Sequence, residues 1–307
     1  MKIAAITITY NDGYKLNEWY EHYIEYRDEL YLHIIVDNGS DQDYLKKVHD
    51  LFSDSIIIER GGNGGATLAY NDGLRCALKD LKVDSIVLIG NDIKIGKGSL
   101  ATLYDFLMSN DKYGMVEPVL LAKDSQIVED FGNSISPYLE MVTYGVGKTY
   151  SELVEDYRIV ETVTGGMNIS KREFYESVGL QNSTLFMYSD EVDMGIRAQK
   201  KGWLMAVTKT VVAWHQHINP QNSTMRMPFT SYLRGRNKVY LAGLHFGKKR
   251  KVKQFCYHMW KGARGLFVSI LKCDVGRIKH EIAFMQGSFM AYNNVMDIKC
   301  LIPDYKE

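Results

Sequence analysis

Cysteine is sparse in this 307-residue chain: Cys76, Cys256, Cys273 and Cys300 lie far apart, and no pair has Cys-x-x-Cys spacing. That scatter argues against a zinc site and a disulfide framework, and it suits a reducing compartment. No unbroken apolar run reaches the roughly 18 residues a membrane span requires. Met1-Lys2-Ile3 leads straight into a strand-like pattern without signal-peptide composition, so a cytoplasmic protein is expected. Two glycine signatures are missing as well. The segment Arg60-Gly61-Gly62-Asn63-Gly64-Gly65-Ala66 is neither Gly-x-Gly-x-x-Gly nor a Walker loop, which disfavours nicotinamide and ATP sites. Net charge is absent too, with 37 Lys and Arg against 37 Asp and Glu.

What is present is ordinary globular composition, 46% hydrophobic and 24% charged, in a chain long enough to bury a full core. The zero net charge hides an asymmetry. Residues 229–307 hold 15 Lys and Arg against 5 Asp and Glu, so this end carries +10 and the first 228 residues carry −10. Such a basic end suits a surface that meets anions.

The most informative stretch is residues 85–93, Ser-Ile-Val-Leu-Ile-Gly-Asn-Asp-Ile. Its β-branched run reads as a strand buried on both faces, and it ends at Asn91 and Asp92. Open α/β sheets bind ligands outside the carboxyl ends of their strands, so a ligand contact is expected at Asp92; ordinary turn chemistry is the plainer alternative. Other strand-like runs end the same way. Residues 2–9 stop at Tyr10-Asn11-Asp12-Gly13, and residues 31–36 stop at Asp37-Asn38-Gly39-Ser40-Asp41, where Asp37 is placed in a binding role and Asp41 as a helix cap. The glycine-rich turn precedes a helix expected from about residue 67 to 81, and it offers either backbone clearance for a phosphorylated ligand or a plain flexible turn. Residues 114–121 read as a strand whose Pro118 suggests an edge or an end. Residues 122–157 read as a loop-rich excursion with short strands. Residues 159–169 read as a strand carrying a close-approach pair, Gly165 and Gly166.

A second strong signal is Asp190-Glu191-Val192-Asp193, three carboxylates opening a helix behind Phe186 and Tyr188. Capping uses one or two acids. Three that repel one another beside aromatics raise the proton affinity of at least one, which suits a general base. The last core strand, about residues 208–214, ends in Trp214-His215-Gln216-His217; His215, directly after the strand, is the preferred metal or phosphate contact.

The ordered set Thr7-Ile8-Thr9-Tyr10-Asn11, Asp37-Asn38-Gly39-Ser40, Asn91-Asp92, Gly165-Gly166, Asp190-Glu191-Val192-Asp193 and Trp214-His215 resembles family 2 glycosyltransferases of the GT-A fold, over residues 2 to about 240. Asn91-Asp92-Ile93, the acids ahead of Ile196-Arg197, Trp214-His215 and Tyr232-Leu233-Arg234-Gly235-Arg236-Asn237 are similar to the rhamnosyltransferase and galactofuranosyltransferase branch. The resemblance implies an α/β fold, a Rossmann-like, mostly parallel sheet flanked by helices. It also implies a catalytic domain over 1–228 and a basic, amphipathic helical region over 229–307. Thr9, Tyr10 and Asp37 would line the base and ribose of a nucleotide-sugar donor, with Gly64, Asn91, Gly166 and Arg236 also on the donor. Asp92, the last acid of the family's Asp-x-Asp element, would bind Mn2+ or Mg2+ with His215. Glu191 would be the catalytic base, with Asp190 as its substitute. Two departures stand out: Gly90 replaces the first acid of Asp-x-Asp, and Glu191 stands where Asp is usual.

The function so implied is inverting transfer of a sugar, dTDP-rhamnose or UDP-galactofuranose being the favoured donor type. The acceptor is a hydroxyl of a glycan or lipid-linked glycan in bacterial surface-polysaccharide synthesis. A GT-A protein that holds nucleotide or glycan without turnover is the alternative, favoured by Gly90. The basic run 247–253 and the aromatic and basic residues interleaved over 254–271 read either as an interfacial helix, giving peripheral contact at the inner face of the cell membrane, or as a helix packed on the catalytic domain. A nucleic-acid partner is not expected, because the acidic first 228 residues repel a polyanion.

Overall fold

The computed structural model describes residues 1–216 and 228–298. In chain order its first half runs β1 (Ile3–Thr9), α1 (Leu16–Tyr26), β2 (Leu32–Asp37), α2 (Gln42–Leu51), β3 (Ile56–Glu59), α3 (Ala66–Lys79) and β4 (Ser85–Ile89). There follow β5 (Ile93–Ile95), α4 (Ser99–Met108), β6 (Tyr113–Ala122), β7 (Val128–Asp130), β8 (Asn133–Ile135), β9 (Met141–Thr143) and β10 (Tyr157–Val160). The rest is β11 (Met167–Lys171), α5 (Arg172–Val178), α6 (Asp190–Lys200), β12 (Leu204–His215), α7 (Pro228–Phe246), α8 (Lys248–Leu271) and α9 (Val275–Tyr292).

The main sheet has the order β10-β12-β6-β11-β4-β1-β2-β3. Strands β3, β2, β1 and β4 are mutually parallel; β11 is antiparallel to both β4 and β6, and β12 runs parallel to β6. Alternation along the strands builds two cores. Ile3 and Ala5 of β1 and Val87 and Ile89 of β4 face α1, α2 and α4, where Trp19, Tyr23, Val48 and Leu103 are buried. Ala4, Ile6, Ile86 and Leu88 face the other way, onto Leu74 of α3, Phe174 of α5 and Met194 of α6. A strand buried on both faces is nearly continuously apolar, which is why residues 86–89 read so plainly. Asp41 caps α2 as expected, accepting from the Tyr44 amide at 2.8 Å.

Two expectations are corrected. Residues 159–169 are not one strand: β10 lies on the sheet's edge, β11 inserts antiparallel between β4 and β6, and Gly165 and Gly166 lie in the connection between them. Pro118 lies inside β6, an interior strand. It is tolerated because pairing with β11 involves only Met115 and Val116, and because the β12 register shifts just after Thr208 meets Pro118.

Helix α7 runs against α9 so closely that a Cβ on Gly235 would lie 2.2 Å from the Phe284 carbonyl, and one on Gly287 2.0 Å from that of Tyr232. Leu241 and Ala242 of α7 bury against Val192 and Ile196 of α6, so the C-terminal helices are seated on the element that carries the acidic cluster.

Candidate active site

Parallel strands bring their carboxyl ends to one rim, and the polar strand ends meet there. Thr9, the last residue of β1, is buried and hydrogen-bonds the Tyr44 hydroxyl, while Tyr10 beyond it is exposed. Asp37 ends β2 opposite Thr9 in the β1–β2 register and accepts from the Gly39 and Ser40 amides at 3.1 and 3.0 Å, fixing the turn. Asn91 donates to Asp12 at 2.8 Å and so ties the β1–α1 loop to the loop after β4. Gly64 and Gly65 do not present their amides to the rim: Asn38 and Asn63 side chains accept from them at 3.2 and 3.0 Å. The glycine at 65 is there for packing, since a Cβ would sit 2.4 Å from the Phe186 carbonyl.

The adjoining loop carries the acid–histidine pair. His215 ends β12, and its Nε2 lies 3.7 Å from Oδ2 of Asp92. Its Nδ1 lies 3.0 Å from Glu129 of β7, and the Gln216 amide donates to the Asp92 carbonyl at 2.7 Å, locking the two segments together. Lys15, just before α1, places its ammonium 3.3 Å from the same Oδ2. Burial pulls the His215 imidazole down, but hydrogen bonds to Asp92 and Glu129 outweigh it and leave the ring at about 9.

These residues can be tested against the divalent ion that the resemblance implies. Among the described residues no group of three or more His, Cys, Asp or Glu is arranged to hold a metal. Asp92 and His215 nevertheless converge, and a carboxylate on the far nitrogen is the arrangement that orients a metal-ligating histidine, although an ion taking Nε2 has to displace the proton that Asp92 and Glu129 hold on the ring. The first acid of Asp-x-Asp has no substitute at Gly90, whose ideal Cβ would stand 2.8 Å from Oδ1 of Asp92. The donor set therefore fits an oxygen-seeking ion shared between two protein ligands and a diphosphate, and fits an all-protein cage poorly. His217 lies outside the described residues.

The acidic cluster is held by strained backbone. Phe186, Tyr188 and Ser189, directly before α6, all have left-handed φ, of 67°, 66° and 64°. Such a turn points carbonyls inward, where they need donors. Arg236 and Asn237 of α7 supply them. Arg236 is fully buried and donates to the carbonyls of Thr184, Leu185 and Met296, while Asn237 donates to those of Leu185, Met187 and Tyr188. This corrects the expectation for Arg236: a fully buried guanidinium occupied by three backbone carbonyls does not reach a donor phosphate. Asp193 is likewise structural, bridging Arg197 at 2.8 Å and His245 of α7 at 2.7 Å.

Asp190 and Glu191, by contrast, make no ion pair among the described residues. They hydrogen-bond each other. Burial first, then the charge of Asp190, pushes the Glu191 carboxyl up to about 8, and burial also raises Asp190. Glu191 forms part of the wall of a cavity of about 450 Å3 closed by α7, α8 and α9 and by the β8–β9 hairpin. On its other side Oε1 comes within 2.8 Å of where a Cβ on Gly165 would stand. Next along, the Gly166 carbonyl accepts from the Gly90 amide at 2.9 Å. The glycine pair is thus the physical link between Asp92 and Glu191, both of whose charges, with that of Asp190, bear on the Tyr70 hydroxyl. Lys15, Glu129 and Tyr70 were not legible beforehand. None sits in a pattern that separates it from any exposed helix start, short strand or helix face.

The family described as "Glycosyltransferase like family 2" matches residues 15–237. The low-salt glycan biosynthesis hexosyltransferase Agl10 of Haloferax volcanii is 24% identical over 219 residues, 70% of this chain and 68% of that protein. The N-acetylglucosaminyl-diphospho-decaprenol L-rhamnosyltransferase of Mycobacterium tuberculosis is 22% identical over 267 residues, 80% of this chain and 85% of that one. Among solved structures, the mannosyltransferase PcManGT of Pyrobaculum calidifontis, in complex with GDP-Man and Mn2+, has a TM-score of 0.57 at 14% identity, covering 94% of this chain and 86% of its own. GalNAc-T7 with UDP, GalNAc and Mn2+ has the same TM-score and identity over 70% of this chain and 44% of its own. These likenesses show the GT-A fold.

Proposed function

Because the chain belongs to the family-2-like glycosyltransferases, we propose that it is an inverting transferase that moves a sugar from a nucleotide-diphosphate donor to a glycan hydroxyl. The observation that carries this reading is Glu191, a carboxyl of raised proton affinity set between the cavity of about 450 Å3 and the Gly165–Gly166 link to Asp92. In the reaction the acceptor oxygen forms a bond to the anomeric carbon as the bond to the diphosphate oxygen breaks. The acceptor proton passes to Glu191, and the electron pair leaves on the nucleoside diphosphate. One displacement inverts the anomeric centre. Asp190 holds the base through their shared hydrogen bond, and Thr9, Tyr10 and Asp37 lie where the base and ribose enter. Asp92 and His215 would hold Mn2+ or Mg2+, which would supply positive charge for the departing diphosphate.

The donor type favoured is dTDP-rhamnose or UDP-galactofuranose, and the setting is surface-polysaccharide synthesis at the inner face of the cell membrane. Among the described residues no helix is long and apolar enough to cross a bilayer. Peripheral contact is instead supported by α8, where Trp260, Phe267 and Leu271 are 59%, 63% and 68% exposed along one side that continues back to Lys253 and Lys249. The deciding experiment is nucleoside-diphosphate release from a panel of nucleotide sugars with Mn2+. Release that is abolished by Glu191→Gln supports the reading. Donor binding without release in the wild type, with or without glycan, would leave a binding protein instead.

A further inference from the structure

The cavity beside Glu191 carries more positive charge than its own acids use. Lys238 and Lys261 both pair with Glu140, Lys261 at 3.1 Å. Burial raises the Glu140 carboxyl, but the two ammoniums outweigh it and hold it at about 2, so it stays a single anion between two cations. Arg234, one turn before Lys238, forms no ion pair among the described residues and lies over the Tyr188 ring at 5.0 Å. Glu281, from α9, faces Arg277 at 3.7 Å. Three cations, Arg234, Lys238 and Lys261, therefore share the cavity with two carboxylates, Glu140 and Glu281, beside Glu191, whose proton affinity is raised by burial and by the charge of Asp190. An uncompensated, partly desolvated guanidinium is costly unless an anion joins it, and its planar fork suits phosphate oxygens.

We propose that this cavity is an acceptor subsite for a phosphorylated sugar, with Arg234 and Lys261 on the phosphate and the attacking hydroxyl toward Glu191. The inference rests on the transferase reading and narrows its acceptor to an anionic class. Lys261 lies on α8 next to Trp260, so a chain attached to the phosphate would leave the cavity beside the exposed apolar side of that helix. A lipid-borne diphosphate and a free sugar phosphate share the recognised chemistry, and the two are separated by the test.

The test uses full-length protein presaturated with nucleoside diphosphate and Mn2+, so that the donor site is filled. Calorimetry then follows three probes: N-acetylglucosamine 1-phosphate, the uncharged methyl N-acetylglucosaminide, and an undecyl-diphosphate glycoside of the same sugar. The phosphate is expected to bind the wild type and to lose about tenfold or more in Arg234→Gln and in Lys261→Gln, the worth of one hydrogen bond to a charged group. The methyl glycoside should bind weakly and respond to neither substitution. Tighter binding of the undecyl probe assigns the lipid source and equal binding the soluble one; either supports an anionic acceptor. Equal affinity of the phosphate for wild type and both variants overturns the proposal, as does its failure to bind a wild type that has taken up the nucleotide. Failure of the nucleotide itself to bind counts against the transferase reading instead. Lys261 is about half exposed, so its variant should fold even if that of Arg234 does not.

Discussion

Glu129 holds His215 by the nitrogen that faces away from Asp92, at 3.0 Å, while the other nitrogen stands 3.7 Å from the Asp92 carboxylate. A residue from the short strand β7 thus orients a side chain from the end of β12, across 86 positions of sequence. Removing the carboxylate should free the ring to turn. Glu129→Ala is expected to weaken Mn2+ binding to the nucleoside-diphosphate complex by about 10- to 100-fold, the usual effect of losing such a partner. Titration followed by Mn2+ paramagnetic resonance checks it, and an unchanged affinity would remove Glu129 from that role.

The raised carboxyl of Glu191 predicts an alkaline rise in activity. A base that keeps its proton up to about 8 is mostly inactive at pH 6 and mostly ionised at pH 9. The kcat/KM of the wild type should therefore climb through an apparent midpoint near 8 that belongs to the Asp190–Glu191 pair jointly. A flat profile between pH 6 and 9 would count against Glu191 as base.

Stability should move the opposite way. A carboxyl whose folded-state value lies above its unfolded one binds more protons in the native state, so stability falls as pH rises from about 4.5 to about 8 and is level beyond. Glu191→Gln removes the ionisation, and it should melt higher than the wild type at pH 9 and close to it at pH 5. Equal melting points at both pH values would show that Glu191 does not ionise within this range.

Arg236 should behave as scaffold. Arg236→Leu removes the guanidinium from the carbonyls of Thr184 and Met296, while that of Leu185 keeps Asn237; at about 1–3 kcal/mol for each lost bond the variant is expected to lower the melting point and to cut turnover by loosening the turn before Asp190. A variant with normal melting and a loss confined to donor affinity would restore the phosphate-binding role.

The outer side of α8 predicts lipid contact. Flotation with vesicles containing anionic lipid should carry the wild type upward, and Trp260→Ser with Phe267→Ser should leave it behind; raised salt should weaken the contact by screening the lysines. Equal flotation of wild type and double variant would move the contact elsewhere.

Much of the fold was legible because its physical causes are local. A β-branched apolar run such as 86–89 suits a strand buried on both faces, and a polar turn after each of β1, β2 and β4 could be read as a ligand-facing rim, as it could be for Asp92 and His215. That the acids at 190 and 191 would share one environment was legible for the same reason, since they are adjacent in the chain. The sequence alone could not separate neighbours of like type. Arg234 and Arg236 stand two apart on one helix, yet one lines a cavity and the other is buried among carbonyls. Three acids opened α6, and only the packing of α7 made Asp193 a strut to His245. Roles like these depend on which backbone groups arrive from distant segments, here the strained turn at 186–189 and the short strand at Glu129. Spacing along one segment records the direction of a side chain; its partner is decided by the fold that closes around it.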